Sequence, residues 1–435
     1  MRFGAWRSGS VVLLSLIGVA CAVLGGCATP PSSESHALPP TRVTTPAAPP
    51  ALAATSAATP PRSAINTATV ISSLVARLKA TDDAVPPGRY TYFTSQDSPT
   101  GWETVEANGW TSAFLPGELW MAYRLTRDPD LADRAARRQR ALAAVSTDHS
   151  LPDIGMHFYY SFAQAFDLTG NPTYRDIALR GASGQAKRFV GSTKTFWSEA
   201  AAPGDQTHVV TTIIDEVMNN QILYWAAEKG GPDQAPLKRM ALEHASTVAG
   251  DFVRADGSVY QKVQYDARTG RVLAKLPGQG YSKDSAWSRG QAWAMHGFTT
   301  AYGKSGDPNM LDAARRVSDF YLKNVPPDMV PYWDFRAPGI PNAPKDSSAA
   351  AIASSALFDL ARLETDPARK TRYEAAAKAT LESLLSPAYL SSGQSPALLL
   401  HGTMNWRTPR TIDVGQSFGD YFLLEALSKS GSVAR

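Results

Sequence analysis

Cysteine is nearly absent from this chain: of 435 residues only Cys21 and Cys27 are cysteines, and both lie in the first 27 positions. Everything after them works without a disulfide, a thiolate nucleophile or a Cys-ligated metal. An excess of one charge sign is missing too. Forty-three Lys and Arg stand against 39 Asp and Glu, and the net +4 is dispersed, which argues against a nucleic-acid binder. The sequence has no HExxH, GxSxG, P-loop or dinucleotide fingerprint, and its seven histidines, at 36, 149, 157, 208, 244, 296 and 401, lack metal-ligand spacing. What these absences leave is acid–base chemistry on carboxyl groups, with no metal and no cofactor.

A spanning hydrophobic run is also lacking. The longest apolar stretch, Val11 to Leu24, falls short of the roughly 20 residues a membrane helix needs, and Arg2 and Arg7 precede it. That pattern is an export signal. Leu24-Gly25-Gly26-Cys27 resembles a lipobox, so residues 1–26 are expected to be removed and Cys27 lipidated, anchoring the protein at the outer membrane, facing the periplasm or the cell surface. An ordinary signal peptide is the alternative. Residues 27–62 contain nine prolines among Ala, Ser and Thr with almost no large apolar side chains, the composition of a disordered tether. The folded body, 63–435, has no second linker and reads as one domain, a monomer or a weak homo-oligomer.

Within the body one pattern recurs: an aromatic amphipathic segment, a short turn with Asp-Pro or Asn-Pro, then an Ala-rich segment. Asp128, Asn171, Asp307 and Asp366 are placed to cap helices whose first residues are Pro129, Pro172, Pro308 and Pro367. A fifth copy carries Gly231-Pro232, and Asp420 to Gly431 resembles a first segment without its partner. Phe158, Phe162 and Phe166 recur every four residues, predicting one core-facing stripe. About six such hairpins would close into an all-α (α/α)6 barrel, a six-hairpin toroid. An open superhelix is the alternative.

Four polar, aromatic motifs spend residues that a plain core helix would avoid: Gly109–Trp120, Ser150–Tyr160, Thr211–Asn220 and Gly278–Met295. In the second, Asp153 precedes an aromatic helix and fits an N-cap. In the third, Asp215 sits among Ile213, Ile214, Val217 and Met218, with Asn219 one turn on. An unpartnered carboxyl there should have a raised pKa, suiting a general acid, although a structural Asp satisfied by backbone groups fits equally. In the fourth, Arg289 and Trp293 are one helical turn apart with Trp287 just before them. A guanidinium fork beside indole faces suits a sugar acid; an interhelical salt bridge over core tryptophans is the other reading.

Over most of the body these motifs resemble the unsaturated glucuronyl hydrolases, glycoside hydrolase family 88. The carriers are WTSAFLPGELWMAY, PDIGMHFYYSFAQAFDLTGNPTYRDIA, IIDEVMNNQILYWA, GQGYSKDSAWSRGQAWAMHGF, VPYWDFRAPGIPNAPKDSSAAAIASSAL and FGDYFLLEAL. The resemblance implies an (α/α)6 barrel and hydration of the C4=C5 bond of an unsaturated uronic acid at the non-reducing end of lyase-generated oligosaccharides. It implies that Asp215 protonates C4 and then assists water at C5, with Asp153 as the second carboxylate. Trp110, Gln279, Trp287, Arg289 and Trp293 match the family's substrate-binding positions, and Asn219, one turn on from Asp215, is expected to contact the substrate with them. Two positions depart from the pattern: Pro152 stands where the family has His before the Asp, and Gln261 where a His is expected. The related unsaturated rhamnogalacturonyl hydrolases typically read RGNGW where this chain has Arg289-Gly290-Gln291-Ala292-Trp293, which favours the glucuronyl branch. A non-catalytic sugar-binding lipoprotein would not need both Asp153 and Asp215.

Overall fold

A computed structural model describes residues 67–151, 153–198, 208–231 and 234–431. The expected export signal, Cys27 with its lipid and the 27–62 tether lie outside the described residues, as do Pro152 and Pro232.

The Asp-Pro and Asn-Pro turns are where the chain reverses. Helix α1 (Thr67–Ala84) is followed by α2 (Phe114–Thr126), and the Asp128 carboxylate then accepts from the Asp130 N–H at 3.1 Å to open α3 (Pro129–Gln139). The next inner segment is α4 (Ile154–Phe158), a π turn (Tyr159–Ala163) and α5 (Gln164–Thr169), after which Asn171 caps α6 (Pro172–Ala186) at 3.0 Å. Then follow α7 (Glu216–Lys229), α8 (Ala235–Phe252) and α9 (Ser288–Ser305). Asp307 caps α10 (Pro308–Asn324) at 2.9 Å. After α11 (Ser347–Leu363), Asp366 caps α12 (Pro367–Leu384) at 2.8 Å, and α13 (Ser417–Lys429) ends the series. In each capped helix the side-chain oxygen satisfies an amide that has no partner in the helix, and proline occupies a position whose N–H is not needed.

Closure follows from which helices touch. The α4–α5 segment packs on α2 and α7, α7 on α9, α9 on α11, α11 on α13, and α13 returns to α2. The six inner helices therefore form a closed ring, and the open superhelix is ruled out. Helices α3, α6, α8, α10 and α12 lie outside their inner partners, while the N-terminal α1 packs on α2, supplying the outer member that the last inner helix lacks in sequence. Because each inner helix is followed by an outer return, all inner N-termini share one end of the barrel.

Two features differ from the all-α expectation. Short antiparallel sheets occupy the connections that lead from outer to inner helices: β1 (Tyr90–Thr94) with β2 (Trp102–Val105), β3 (Phe189–Val190) with β4 (Thr195–Phe196), β5 (Val209–Ile213) with β6 (Lys262–Asp266) and β7 (Val272–Leu276), and β8 (Gly402–Thr403) with β9 (Ile412–Val414). β-Branched residues in Val209–Ile213 favour a pleated strand over the helix that the motif's downstream half forms. The π turn also breaks the phenylalanine stripe. Phe158 and Phe162 stack at 6.0 Å between centroids, whereas the inserted residue turns Phe166 onto the edge of Trp225 at 5.8 Å. Among the described residues no helix is long and apolar enough to cross a membrane.

Candidate active site

The inner-helix N-termini and the small sheets converge at one end of the barrel, and the site grows from the contact between α4 and α7. Gly155 makes that contact possible: a Cβ there would lie 2.3 Å from the Asn219 carbonyl oxygen. With the helices this close, Asn219 reaches across. Its side-chain oxygen accepts from the Met156 N–H at 2.9 Å and its amide nitrogen donates to the Asp153 carboxylate at 3.0 Å, so buried Asn219 orients Asp153 and is not the direct substrate contact expected from sequence. Asp153 is thus not the side-chain N-cap expected from sequence; it has left-handed backbone geometry (φ 56°), makes no capping bond, and turns its carboxylate to Asn219. An L-residue in that region costs about 1–2 kcal/mol, which the surrounding contacts must offset.

His157 and Arg188, which the sequence reading passed over, hold this corner. The His157 ring lies between the carbonyl oxygens of Asp153, 3.0 Å from Nδ1, and Gly109, 2.7 Å from Nε2, linking the Asp153 turn to the turn carrying Trp110. Arg188 donates to the carbonyls of His149 at 2.9 Å, Leu151 at 3.3 Å and Trp197 at 3.1 Å, with its guanidinium 3.9 Å above the Trp197 ring. Their sequence signal is faint: His157 reads as one more residue of an aromatic helix, and the partners of Arg188 lie on other segments.

Asp215 follows β5 at the entrance to α7. The Ile214 N–H donates to the Gln261 carbonyl at 2.8 Å, extending the β5–β6 pairing to the residue before Asp215. The Asp215 Oδ2 atom is buried and has no hydrogen-bond partner among the described residues. Burial and the Asp153 charge push its pKa up to about 7, against the pull of Arg289. Asp153 is also raised, chiefly by burial, with the Asn219 hydrogen bond opposing. Neighbouring Glu216 is raised to about 7 for the same main reason, although Gln185 donates to it at 3.1 Å. A carboxyl group that titrates near neutrality, with an oxygen free to exchange its proton, can act as acid and then as base.

Arg289 differs from the expectation. It is 2% exposed, ion-paired to buried Asp346 at 2.5 Å, and donates to the carbonyls of Thr403 at 2.8 Å and Met404 at 2.5 Å and to Gln279 Oε1 at 3.1 Å. Four of its donor directions are spent inside the protein, so the fork is not open to a sugar carboxylate, and the interhelical salt bridge is the reading that fits. The rings of Trp287 and Trp293 are 4% and 1% exposed; the first lies under the Arg289 guanidinium at 4.4 Å and the second against Phe422 at 5.4 Å. Neither offers the open face expected for stacking. Half-buried Trp110, braced by Phe418 at 5.1 Å and by Tyr92, keeps more of its surface free. The half-buried Gln279 amide nitrogen is likewise unengaged among the described residues.

Gln261, at the second departure, has a defined place. Its carbonyl pairs with Ile214, and its side-chain oxygen accepts from the Gln279 N–H and packs against Gly278, which has φ 55°. One residue therefore couples the Asp215 turn to the Gln279 loop. Among the described residues no group of three His, Cys, Asp or Glu side chains is placed to hold a metal ion.

No family model matches the chain. Individual proteins do. The chain is 34% identical over 336 residues to the unsaturated glucuronyl hydrolase of Formosa agariphila, covering 76% of this chain and 82% of that one. It is 32% identical over 329 residues to the unsaturated chondroitin disaccharide hydrolase of Streptococcus pyogenes serotype M1, covering 73% and 80%. Among solved structures, an unsaturated glucuronyl hydrolase specific for heparin superposes with a TM-score of 0.78 at 29% identity, covering 84% of this chain and 96% of that chain. The enzyme from Bacillus sp. GL1 gives 0.74 at 27%, covering 82% and 96%. The chain belongs to the unsaturated glucuronyl hydrolases, and its (α/α)6 barrel is theirs.

Proposed function

We propose that this protein hydrates the C4=C5 double bond of the unsaturated uronic acid at the non-reducing end of lyase-generated oligosaccharides, releasing a 4-deoxy-5-keto-uronate and the remaining saccharide. The observation that carries this is Asp215: a carboxyl group titrating near pH 7, with an unpartnered buried oxygen and Asp153 as its charged neighbour. Protonated Asp215 delivers its proton to C4. The resulting carboxylate takes a proton from water as that water adds to C5, which regenerates the acid. The product is a hemiketal, and its collapse opens the ring and frees the sugar. Asp153, oriented by Asn219, receives substrate hydroxyls and by its charge keeps Asp215 protonated between turnovers. Trp110 and the Gln279 amide supply the substrate contacts. Arg289 acts behind them, holding Gln279 and tuning Asp215 through its charge, with Trp287 packed against its guanidinium and Trp293 in the core beyond.

We also propose that the chain is exported and held at the outer membrane through lipid on Cys27, a reading supported by Arg2, Arg7, the apolar run and the Leu-Gly-Gly-Cys sequence.

The test is direct. Purified protein is incubated with unsaturated disaccharides and tetrasaccharides made by lyases from glycosaminoglycans, ulvan, xanthan and gellan, and the alkene ultraviolet absorbance is followed. At least one member should lose its absorbance as saccharide is released; if none is consumed, the hydrolase reading fails.

A further inference from the structure

Only three large hydrophobic side chains are markedly exposed among the described residues, and one of them, Tyr281 at 45%, stands two residues from Gln279. It is not a stray surface tyrosine. Its ring approaches Trp406 at 6.0 Å and Trp333 at 6.4 Å, and those two indoles stack at 4.8 Å with 24° between their planes. Trp333 is buried and Trp406 half-buried, so the trio forms a wall with Tyr281 as its open edge.

The wall is tied to the site by three hydrogen bonds and a backbone bridge. The Tyr281 N–H donates to buried Asp334 at 2.9 Å, and Asp334 bridges through its backbone to Trp287, whose ring carries Arg289. Arg407 lies 4.8 Å over the Trp406 ring and donates to the carbonyls of Gly278 at 2.5 Å and Gly280 at 3.0 Å, latching the Trp406 loop onto the Gln279 loop. The same Trp406 loop supplies the Thr403 and Met404 carbonyls that hold Arg289. Tyr281 leaves much of its ring open over a prebuilt aromatic stack, on the loop that carries the candidate substrate contact. It is what a flat apolar ligand face requires: the C–H face of a pyranose stacks on such a ring.

We propose that Tyr281, backed by Trp333 and Trp406, is a stacking platform for the saccharide that follows the unsaturated uronate, a carbohydrate subsite at the rim of the active site. This rests on the hydrolase reading above and adds which residues hold the part of the substrate that leaves.

The experiment compares two substrates with the same reacting end: the methyl glycoside of the unsaturated uronate, which has no following sugar, and the tetrasaccharide from the panel that the wild-type protein consumes. Tyr281→Ala should raise KM for the tetrasaccharide about 5- to 20-fold and leave the methyl glycoside within about twofold. Tyr281→Phe should restore the tetrasaccharide KM, since the ring and not the hydroxyl does the stacking. Equal losses on both substrates would mark Tyr281 as a structural residue, and unchanged tetrasaccharide kinetics would show that nothing stacks there; either overturns the platform while the hydrolase stands. Failure of the wild-type protein on every panel member and on the methyl glycoside overturns the hydrolase reading and the platform with it.

Discussion

Asp215→Asn should lower kcat by at least about 10²–10⁴-fold while the protein stays folded. Asparagine keeps the shape and cannot give up or take a proton, so both halves of the proposed reaction stop. In the wild-type protein the active form carries the proton on Asp215, so kcat should fall as pH rises through about 7. Stability should show the same group with the opposite consequence for the variant. Burial has raised the folded-state pKa, so the folded protein binds a proton that the unfolded chain has already lost. The stability that Asp215 itself contributes is fully present below its unfolded-state pKa of about 4 and declines as pH rises, lost progressively as pH passes through the folded value near 7. Asn carries no charge at any pH. The variant should therefore melt higher than wild type at pH 8, by up to about 4 kcal/mol, and show little gain at pH 4. Thermal melts at the two pH values and steady-state kinetics on a consumed panel substrate check both parts; near-wild-type kcat in the variant would move the acid elsewhere.

The second large effect is Asp346→Ala. Asp346 is fully buried and neutralises Arg289, which is itself buried between the Thr403 and Met404 carbonyls and the Trp287 ring. Removing one partner leaves an uncompensated charge in the interior, a loss of about 3–5 kcal/mol. Activity should suffer by a separate route. The Arg289 charge already pulls the Asp215 pKa down, and without Asp346 it would pull harder, moving the alkaline limb of the pH profile to lower pH. Urea unfolding midpoints and the pH dependence of kcat measure the two consequences. A stability change under about 1 kcal/mol would mean that the pair is not the internal tie described above.

How much of this was legible in the sequence depends on how local the signal is. The capping Asp and Asn residues with their prolines lie within four residues of the bonds they make, and Asp128, Asn171, Asp307 and Asp366 all cap the helices predicted for them. The hairpins and the motif positions at the inner-helix N-termini follow from those caps. The odd feature of Asp215, a carboxyl among apolar neighbours, was also local. What escaped was set by distant partners or by backbone geometry. The fate of Arg289 is decided by Asp346, 57 residues on, and by carbonyls more than a hundred residues on. A guanidinium beside indoles looks the same in sequence whether it faces a ligand or a buried carboxylate. The π turn that rotates Phe166, the left-handed Asp153 and the pairing of Val209–Ile213 with Lys262–Asp266 leave no short-range signature either. Gln261 was noticed only as a missing histidine; the structure gives it a carbonyl on the Asp215 turn and a side chain on the Gln279 loop.

In the proposed reaction the double bond, and not the anomeric carbon, is the reacting group. Product formed in D2O and followed by proton NMR distinguishes the two. The vinyl H4 signal should disappear in step with saccharide release, and the uronate product should carry one deuterium newly added at C4. Saccharide released while the uronate keeps its vinyl signal and gains no deuterium at C4 would contradict the proposed reaction.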